Sequence, residues 1–364
     1  MATKWTTGDS IVLCLDINQE GLVASGAEEG ALAIWNTDGS SIGQLNLQGE
    51  DVTCVSFSHT CESIVYASHA EAISALDIRF LKEPIECFHV NDDEINCISI
   101  NETSSHLAAA DDSGSITIVD LASKQVTRCL QKHSNICSCV TFRPQRPQSL
   151  LSCGLDMQVM LWNLQKTHPV WTVNLQDLAQ EQEDNQQKAG CQLFNPPLAH
   201  FATVASCGNV FACGAEDGKI CLFRITGTRF ELERGFWGHS LGVSQVHFLN
   251  FISHPYWLIS GGNDAKIQLW DLGEQIMTNG KQPSKQSRQK SKNGSNPKKT
   301  LGSKGTARAK DKIKRNHVLP KLSIDHGEKV NWISAVDIKG SKRILIADQS
   351  CQISLYSLED IGTQ

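Results

Sequence analysis

One sequence pattern recurs seven times along the chain and limits its possible folds more than any other feature. Each copy consists of small residues, an acidic or glycine turn, alternating apolar residues and a terminal aromatic or apolar residue. The clearest copy runs from Ser260 through Asn263 and Asp264 to Trp270 and Asp271. The terminal positions are Trp35, Leu76, Val119, Trp162, Phe223, Trp270 and Tyr356. A period kept over a whole chain is typical of repeat architectures, in which each unit packs on its neighbours.

The spacing of the terminal positions gives the period and locates two insertions. The first three intervals are 41, 43 and 43 residues, and the fifth is 47. The fourth and sixth, 61 and 86 residues, each correspond to one period plus an insertion. Each copy has the composition of a β-hairpin, because small and acidic residues favour a tight reversal and residues 266–269 alternate with a period of two. Further strand-like segments precede several hairpins, at 51–57, 136–142 and 243–248.

Histidines and tryptophans at equivalent positions carry a family resemblance. Three histidines precede a first strand, His133, His239 and His326. In copy 6, Gly238-His239 precedes the first strand and Trp270-Asp271 ends the copy. With seven copies in register, the chain resembles the WD-repeat family, whose repeats carry Gly-His near the start and Trp-Asp at the third strand. The resemblance implies an all-β fold, a seven-bladed β-propeller of four-stranded antiparallel blades.

The resemblance also implies a hydrogen-bonded network inside individual blades. In that family a histidine, a turn aspartate, a strand serine and the tryptophan form one chain of hydrogen bonds. The corresponding residues here are His133, Ser152, Asp156 and Trp162 in copy 4, and His239, Ser260, Asp264 and Trp270 in copy 6. A His-Asp-Ser set also has the chemistry of a nucleophilic triad. We favour the structural interpretation, because the set occurs twice at equivalent positions and buried polar groups need such partners.

The two ends of the repeat array predict how the ring closes. The seventh copy reaches its third strand near Tyr356, and few residues follow it. Residues 2–6 precede the first copy and belong to none of the repeats. Because a propeller must pair its last sheet edge, we expect the N-terminal strand to close the last blade.

The charge distribution separates an acidic body from one basic segment. The formal net charge is -6, but residues 281–315 contain 13 Lys and Arg residues and one acid, Asp311, which leaves a net charge of -18 elsewhere. This segment falls in the insertion 273–317 between blades 6 and 7, which we predict to be a basic disordered loop because apolar residues are nearly absent. The insertion 173–197 between blades 4 and 5 is predicted to be an acidic and Gln-rich loop. Both are expected to interrupt a single propeller spanning 1–364.

Two basic clusters, Lys298-Lys299 and residues 310–315, have the composition of nuclear-import or phosphate-contacting sequences. The alternative interpretation is a solvated tether held against the acidic body. Residues 281–315 contain no aromatic side chain that would stack on bases, so any nucleic-acid contact is expected to be weak.

Motif patterns favour a binding protein over an enzyme. The sequence contains neither a Walker phosphate loop nor a His-Glu-x-x-His zinc motif. Its 14 cysteines include no Cys-x-x-Cys pair, and for the one close pair, Cys137 and Cys139, core packing is favoured over metal binding. The polar start and the absence of a long apolar run predict a soluble intracellular chain without a membrane segment. We therefore expect no catalytic residue, no metal and no cofactor.

One short motif suggests a partner. Leu76-Asp77-Ile78-Arg79 ends the third predicted strand of copy 2. An Asp-x-Arg at this place resembles the box of WD-repeat substrate receptors that dock on the adaptor of cullin-4 ubiquitin ligases, the damaged-DNA-binding protein subunit. In those receptors the box usually follows Trp, whereas here it follows Leu76. The planar fork of Arg79 suits docking, because it donates several N–H groups to acidic or carbonyl-lined grooves. The alternative is an aspartate that caps a turn beside a solvent-facing arginine.

These observations lead to two functional hypotheses. The first is a non-catalytic protein-interaction scaffold that acts as a substrate receptor of a cullin-4 RING ubiquitin ligase, docked on the adaptor through Asp77 and Arg79. The alternative is a nuclear scaffold associated with histones or nucleic acid, in which the acidic body binds basic tails. Both expect other proteins as partners and a cytoplasmic or nuclear location, or both.

Overall fold

The structure, a computed structural model, describes residues 2–178, 195–227, 229–252, 256–273 and 318–358. In these residues 28 β-strands form seven four-stranded sheets, and every pairing between strands is antiparallel. The strands of each sheet are consecutive in the chain, apart from the sheet that combines the N-terminal strand with the last three. This order is that of a propeller in which each sequence repeat contributes one blade.

Three blades precede residue 132. Blade 1 comprises β2 (Val12–Ile17), β3 (Val23–Ala27), β4 (Ala31–Trp35) and β5 (Ser41–Asn46). Blade 2 comprises β6 (Val52–Phe57), β7 (Ile64–His69), β8 (Ala72–Asp77) and β9 (Glu86–His89). Blade 3 comprises β10 (Ile95–Ile100), β11 (His106–Asp111), β12 (Ser115–Asp120) and β13 (Gln125–Gln131).

Four blades follow. Blade 4 comprises β14 (Cys137–Arg143), β15 (Arg146–Gly154), β16 (Gln158–Asn163) and β17 (Trp171–Asn174). Blade 5 comprises β18 (Ala199–Val204), β19 (Val210–Ala215), β20 (Lys219–Thr226) and β21 (Arg229–Trp237). Blade 6 comprises β22 (Val243–Phe248), β23 (Trp257–Gly262), β24 (Lys266–Asp271) and β25 (Leu322–Asp325). Blade 7 comprises β26 (Val330–Ile338), β27 (Ser341–Asp348), β28 (Gln352–Ser357) and β1 (Thr3–Thr6).

The first strands of successive blades form the inner ring. Each packs on the first strand of the next blade, and β26 packs on β2, so the ring is continuous. Burial decreases from the inner strands to the outer ones: all residues of β3 are buried, whereas Leu130 is the one buried residue of β13. The buried strands read as short apolar runs because neighbouring blades cover both of their faces. The predicted all-β, seven-bladed propeller is confirmed.

The small and acidic segments of the repeats form the turns between second and third strands. Gly114 and Gly218 both have φ of +82° in such turns, a conformation that favours glycine. A Cβ atom at either position would also collide with the backbone of the next connection, at the carbonyl oxygens of His133 and His239 respectively. These glycines therefore allow each turn to pack closely on the connection that leads to the following blade.

The N-terminal strand closes the last blade, as predicted. Strand β1 pairs antiparallel with β28, with Trp5 opposite Ile353. The side chain of Trp5 is buried and stacks on Trp35 of blade 1, with ring centroids 6.3 Å apart. The closing strand thus pairs with blade 7 and packs against blade 1 at the same time.

Strand direction gives the propeller two distinct faces. The upper face contains the turns between second and third strands and the connections from one blade to the next. The lower face contains the turns between first and second strands and between third and fourth strands. Asp156 and His133 therefore belong to the upper face, whereas the end of β8 at Asp77 belongs to the lower face.

Both predicted insertions lie largely outside the described residues. Strand β17 extends to Asn174, inside the predicted loop 173–197, and residues 179–194 are not described. Residues 274–317, which include the basic segment 281–315, are not described either, so the loop character of both insertions stays a prediction. The strands that flank the basic insertion, β24 and β25, both belong to blade 6, so the predicted position between blades 6 and 7 is wrong. In the described part of the chain, no helix is long and apolar enough to cross a membrane.

Candidate functional site

Asp77 and Arg79 form an ion pair at the lower face of blade 2. Arg79 Nε donates to Asp77 Oδ1 at 2.9 Å, and Nη2 donates to Oδ2 at 2.5 Å. The backbone N–H of Arg79 also donates to Oδ1, at 3.0 Å. The Arg79 side chain is 65% exposed and that of Asp77 14%. The carboxylate is thus largely enclosed, while the guanidinium faces solvent, an arrangement compatible with both interpretations of the motif.

The pair fixes the charge and the orientation of both groups. Hydrogen bonds from the side chain and then the backbone of Arg79 lower the pKa of Asp77 to about 2. The hydrogen bond to Asp77 in turn raises the pKa of Arg79. An exposed pair of this kind adds little to stability. Its main effect is to hold the planar guanidinium in one orientation, with its remaining N–H groups free for an acceptor outside the blade.

Blade 4 brings its four network residues into one chain of hydrogen bonds. Trp162 Nε1 donates to Ser152 Oγ at 2.8 Å, and Ser152 Oγ lies 2.8 Å from His133 Nε2. His133 Nδ1 lies 3.0 Å from Asp156 Oδ1. The network joins strands β15 and β16 and the turn between them to the connection that precedes the blade.

Blade 6 repeats the same geometry. Trp270 Nε1 donates to Ser260 Oγ at 2.9 Å, Ser260 Oγ lies 2.8 Å from His239 Nε2, and His239 Nδ1 lies 2.8 Å from Asp264 Oδ1. Burial alone would raise the pKa of Asp264, but the hydrogen bond from His239 and two backbone N–H groups outweigh it and lower the pKa to about 2. The aspartate is therefore ionised near neutral pH and accepts a hydrogen bond from His239 Nδ1.

The arrangement resembles a catalytic triad in connectivity but differs from one in access. Ser152 and Ser260 are both 0% exposed, so no substrate reaches either hydroxyl. Each hydroxyl oxygen lies within hydrogen-bond distance of histidine Nε2 and accepts the indole N–H, which occupies the oxygen that a nucleophile would use. The geometry is that of a buried polar network that fixes the blade.

The connection that precedes blade 6 contains a further motif, which has a structural explanation. Gly238-His239-Ser240-Leu241-Gly242 matches the Gly-x-Ser-x-Gly pattern of nucleophile elbows. Such an elbow joins a strand to a helix, whereas this segment joins β21 to β22. Ser240 Oγ donates to Asp264 Oδ2 at 3.2 Å, and His239 Nε2 faces Ser260 instead. No described contact joins Ser240 Oγ to a histidine nitrogen, so the serine–histidine pair of a hydrolase is missing from the described contacts.

Other blades contain partial or altered versions of the network. In blade 7, His326 Nε2 lies 2.8 Å from Asp348 Oδ2 and Nδ1 lies 2.8 Å from the hydroxyl of Tyr356. In blade 7 the aspartate therefore contacts Nε2 of the histidine, whereas in blades 4 and 6 it contacts Nδ1. Blade 1 keeps one bond, from Trp35 Nε1 to Ser25 Oγ at 2.8 Å. The repeat pattern places His326 and Tyr356 at the positions of the His and Trp of the other copies, but it does not predict the contact between their side chains.

A ring of inner-strand residues at the axis was not predicted from the sequence. Each first strand has a β-bulge, and the residues directly after the bulge are Cys14, Cys54, Cys97, Cys139, Phe201, Gln245 and Trp332. Trp332 packs edge-on against Phe201 at 5.5 Å, although blade 6 lies between their blades. The contact places both rings at the axis. Alignment of the copies on their first strands would have found this position.

The cysteines on the opposite side of the axis are buried and free. Cys97 Sγ lies 3.5 Å from the carbonyl oxygen of Val140, and Cys139 Sγ lies 3.4 Å from that of Ala202, each in the following blade. Burial raises the pKa of Cys139 well above its usual value. Within the described ranges, no three His, Cys, Asp or Glu side chains are grouped as metal ligands would be. Cys137 and Cys139 pack in the core.

Comparison with known proteins identifies the repeats. The WD domain, G-beta repeat model matches residues 124–163 and 230–271, which contain the tryptophans of the two complete networks. The WD repeat-containing protein 53 homolog of Dictyostelium discoideum is 27% identical over 378 residues, which cover 98% of this chain and 94% of that protein.

Two relatives match shorter parts of the chain. The E3 ubiquitin-protein ligase COP1 of Arabidopsis thaliana is 24% identical over 184 residues, 50% of this chain and 24% of that protein. The U3 small nucleolar RNA-associated protein 15 homolog of Xenopus laevis is 38% identical over 74 residues, 20% of this chain and 13% of that protein. The chain has a seven-bladed propeller fold, matches the WD-repeat model at residues 124–163 and 230–271, and is similar along nearly its whole length to a WD repeat-containing protein.

Proposed function

We propose that this propeller is a non-catalytic protein-interaction scaffold and that it acts as a substrate receptor of a cullin-4 RING ubiquitin ligase. In this proposal the lower face of blade 2 docks on the adaptor, the damaged-DNA-binding protein subunit, through Arg79. Asp77 orients the guanidinium. The opposite, upper face is then free to bind the protein that is to be modified.

The observation that carries the proposal is the exposed, fixed guanidinium of Arg79. Its carboxylate partner holds one edge of the fork, so docking requires little further ordering of a long side chain. The partial similarity to a protein named an E3 ubiquitin-protein ligase supports a connection with ubiquitin ligation.

Affinity purification from cells tests the proposal. The parent and an Asp77→Ala, Arg79→Ala variant are recovered side by side, and the adaptor is quantified by mass spectrometry. We expect the adaptor with the parent and at least a tenfold loss with the variant, about 1.4 kcal/mol. A matched control is Arg229→Ala, Glu231→Ala, which removes another exposed Arg–Glu pair, at blade 5. Absence of the adaptor from the parent sample contradicts the proposal.

A second candidate function, a nuclear scaffold associated with histones or nucleic acid, is favoured by the charge of the upper face. The upper-face segments of blades 1 to 3, residues 7–11, 28–30, 47–51, 70–71, 90–94 and 112–114, contain many acids and neither Lys nor Arg. Burial and then the charges of Asp112, Asp51, Glu50 and Asp93 raise the pKa of Glu94, so these acids lie close enough to repel one another. Such a surface complements a basic polypeptide.

Salt and location distinguish the two candidates. Binding of a basic histone-tail peptide to an acidic face should weaken steeply between low and high salt, because the contact is between exposed charges. Charge reversal at Asp92 and Asp93 should abolish binding of the histone-tail peptide and leave recovery of the adaptor unchanged. A reporter fused to residues 281–315 tests nuclear import, and a reporter spread evenly through the cell would remove support for that role.

A further inference from the structure

The connection between β8 and β9, which begins directly after Asp77, presents two large apolar side chains to solvent. Phe80 is 73% exposed and Ile85 is 59% exposed. Both lie in the same connection as Arg79, on the lower face. A single exposed apolar residue is common on protein surfaces and needs no explanation. Two of them in one connection, beside an oriented arginine, form a mixed apolar and cationic surface.

The exposure of Phe80 does not come from a loose segment. The backbone N–H of Ile78 donates to the carbonyl oxygen of Ser63 at 2.9 Å, which ties the start of the connection to the neighbouring turn. Leu81 packs against Gly43 of blade 1. A Cβ atom added at Gly43 would lie 2.9 Å from the Cδ1 atom of Leu81. Leu81 therefore turns inward and Phe80 turns outward.

An outward aromatic ring on a fixed backbone has the properties of an interface anchor. An aromatic side chain has few rotatable bonds, so its burial in a partner costs little conformational entropy and removes a large apolar area from water. Aromatic residues and arginine are the types most often found at the energetic centre of interfaces. Phe80 follows Arg79 directly in the chain and both side chains are exposed, so both are available to one partner at this connection.

We infer that Phe80 and Ile85 supply the apolar part of the contact with the cullin-4 adaptor and extend the docking site beyond the Asp-x-Arg motif. The inference rests on the proposed function and commits to the same occupant, because the apolar residues are continuous with Arg79. It assigns to the adaptor an apolar depression beside an acceptor for the guanidinium.

A binding titration with purified full chain and purified adaptor tests the inference. Phe80→Ala is expected to weaken binding at least tenfold and Ile85→Ala at least threefold, as for anchor residues at interfaces. Leu241→Ala is the control, since Leu241 is 52% exposed on the upper face; its affinity is expected to stay within twofold. Because Phe80 is exposed, its variant should keep the Tm of the parent.

The outcomes separate the two claims. If Arg79→Ala weakens binding and Phe80→Ala stays within twofold of the parent, the apolar contact is refuted and the proposed function stands. If the parent does not bind the adaptor at all, both are refuted. A tenfold loss with Phe80→Ala at unchanged Tm, with Leu241→Ala unaffected, supports the inference.

Discussion

Ser152 and Ser260 each satisfy two buried side chains, an indole N–H and an imidazole nitrogen. Replacement by alanine leaves both partners without a hydrogen bond in a site closed to water, at a cost of about 1–3 kcal/mol for each unsatisfied group. We therefore expect Ser260→Ala to lower the free energy of unfolding more than Ser25→Ala, where Trp35 loses its bond and no histidine is involved. Denaturant unfolding measures the difference. Equal losses at the two positions would contradict the network interpretation.

Asp16 allows a test of how the stability of the fold depends on pH. Both of its carboxylate oxygens accept backbone N–H groups, from Ile17 at 2.8 Å and from Phe57 of the next blade at 2.7 Å. Burial nevertheless raises the pKa of Asp16 from 3.8 to about 6. A carboxyl whose pKa is higher in the folded chain destabilises the fold at neutral pH, and this loss is recovered as the pH falls through 6 toward 3.8.

The Asp16→Asn variant isolates that effect. Its free energy of unfolding, relative to the parent, is expected to be higher at pH 7.5 than at pH 5, because asparagine cannot ionise. Other titrating groups, such as His247, whose pKa burial lowers to about 4, cancel in the comparison. The exposed Asp38→Asn serves as control. A difference between Asp16→Asn and the parent that is constant with pH would contradict the raised pKa.

At the scale of elements, the closing strand β1 joins blade 7 to blade 1. Trp5→Ala removes a buried ring at this junction, and we expect a loss of about 3–5 kcal/mol, the usual range for large aromatic side chains. Removal of residues 1–7 should also lower the Tm, since it leaves the edge of β28 unpaired. Lys4→Ala, at an exposed position of the same strand, is the control. A truncated chain with the parent Tm would contradict closure by the N-terminus.

Elements also show how far the sequence predicts structure. The hairpins and the ring closure follow from the repeat, while the partners of His133 and His239 follow from the family resemblance that the repeat carries. The contact of Trp332 with Phe201 does not, since it crosses the axis between blades that are not neighbours in the chain. Nor does the altered network of His326, where Tyr356 replaces Trp and the ring nitrogens exchange partners. The exposure of Phe80 depends on how Leu81 packs on another blade, which spacing alone does not encode.

At the scale of the whole molecule, the two faces differ in chemistry. Acids are concentrated on the upper face of blades 1 to 3, while the lower face of blade 2 presents Arg79 and Phe80. The end of β24 and the start of β25, which flank the basic insertion in the sequence, lie at the lower face. A scaffold with this division can bind two partners at once, one on each face.

Hydrogen–deuterium exchange of the purified chain, alone and with the purified cullin-4 adaptor, tests the central claim most directly. Docking through Asp77 and Arg79 predicts slower exchange in two lower-face segments of blade 2, residues 58–63 and 78–85, with the upper-face segments 47–51 and 90–94 unchanged. Protection confined to the upper face, or no protection anywhere at saturating adaptor, would contradict docking through Asp77 and Arg79.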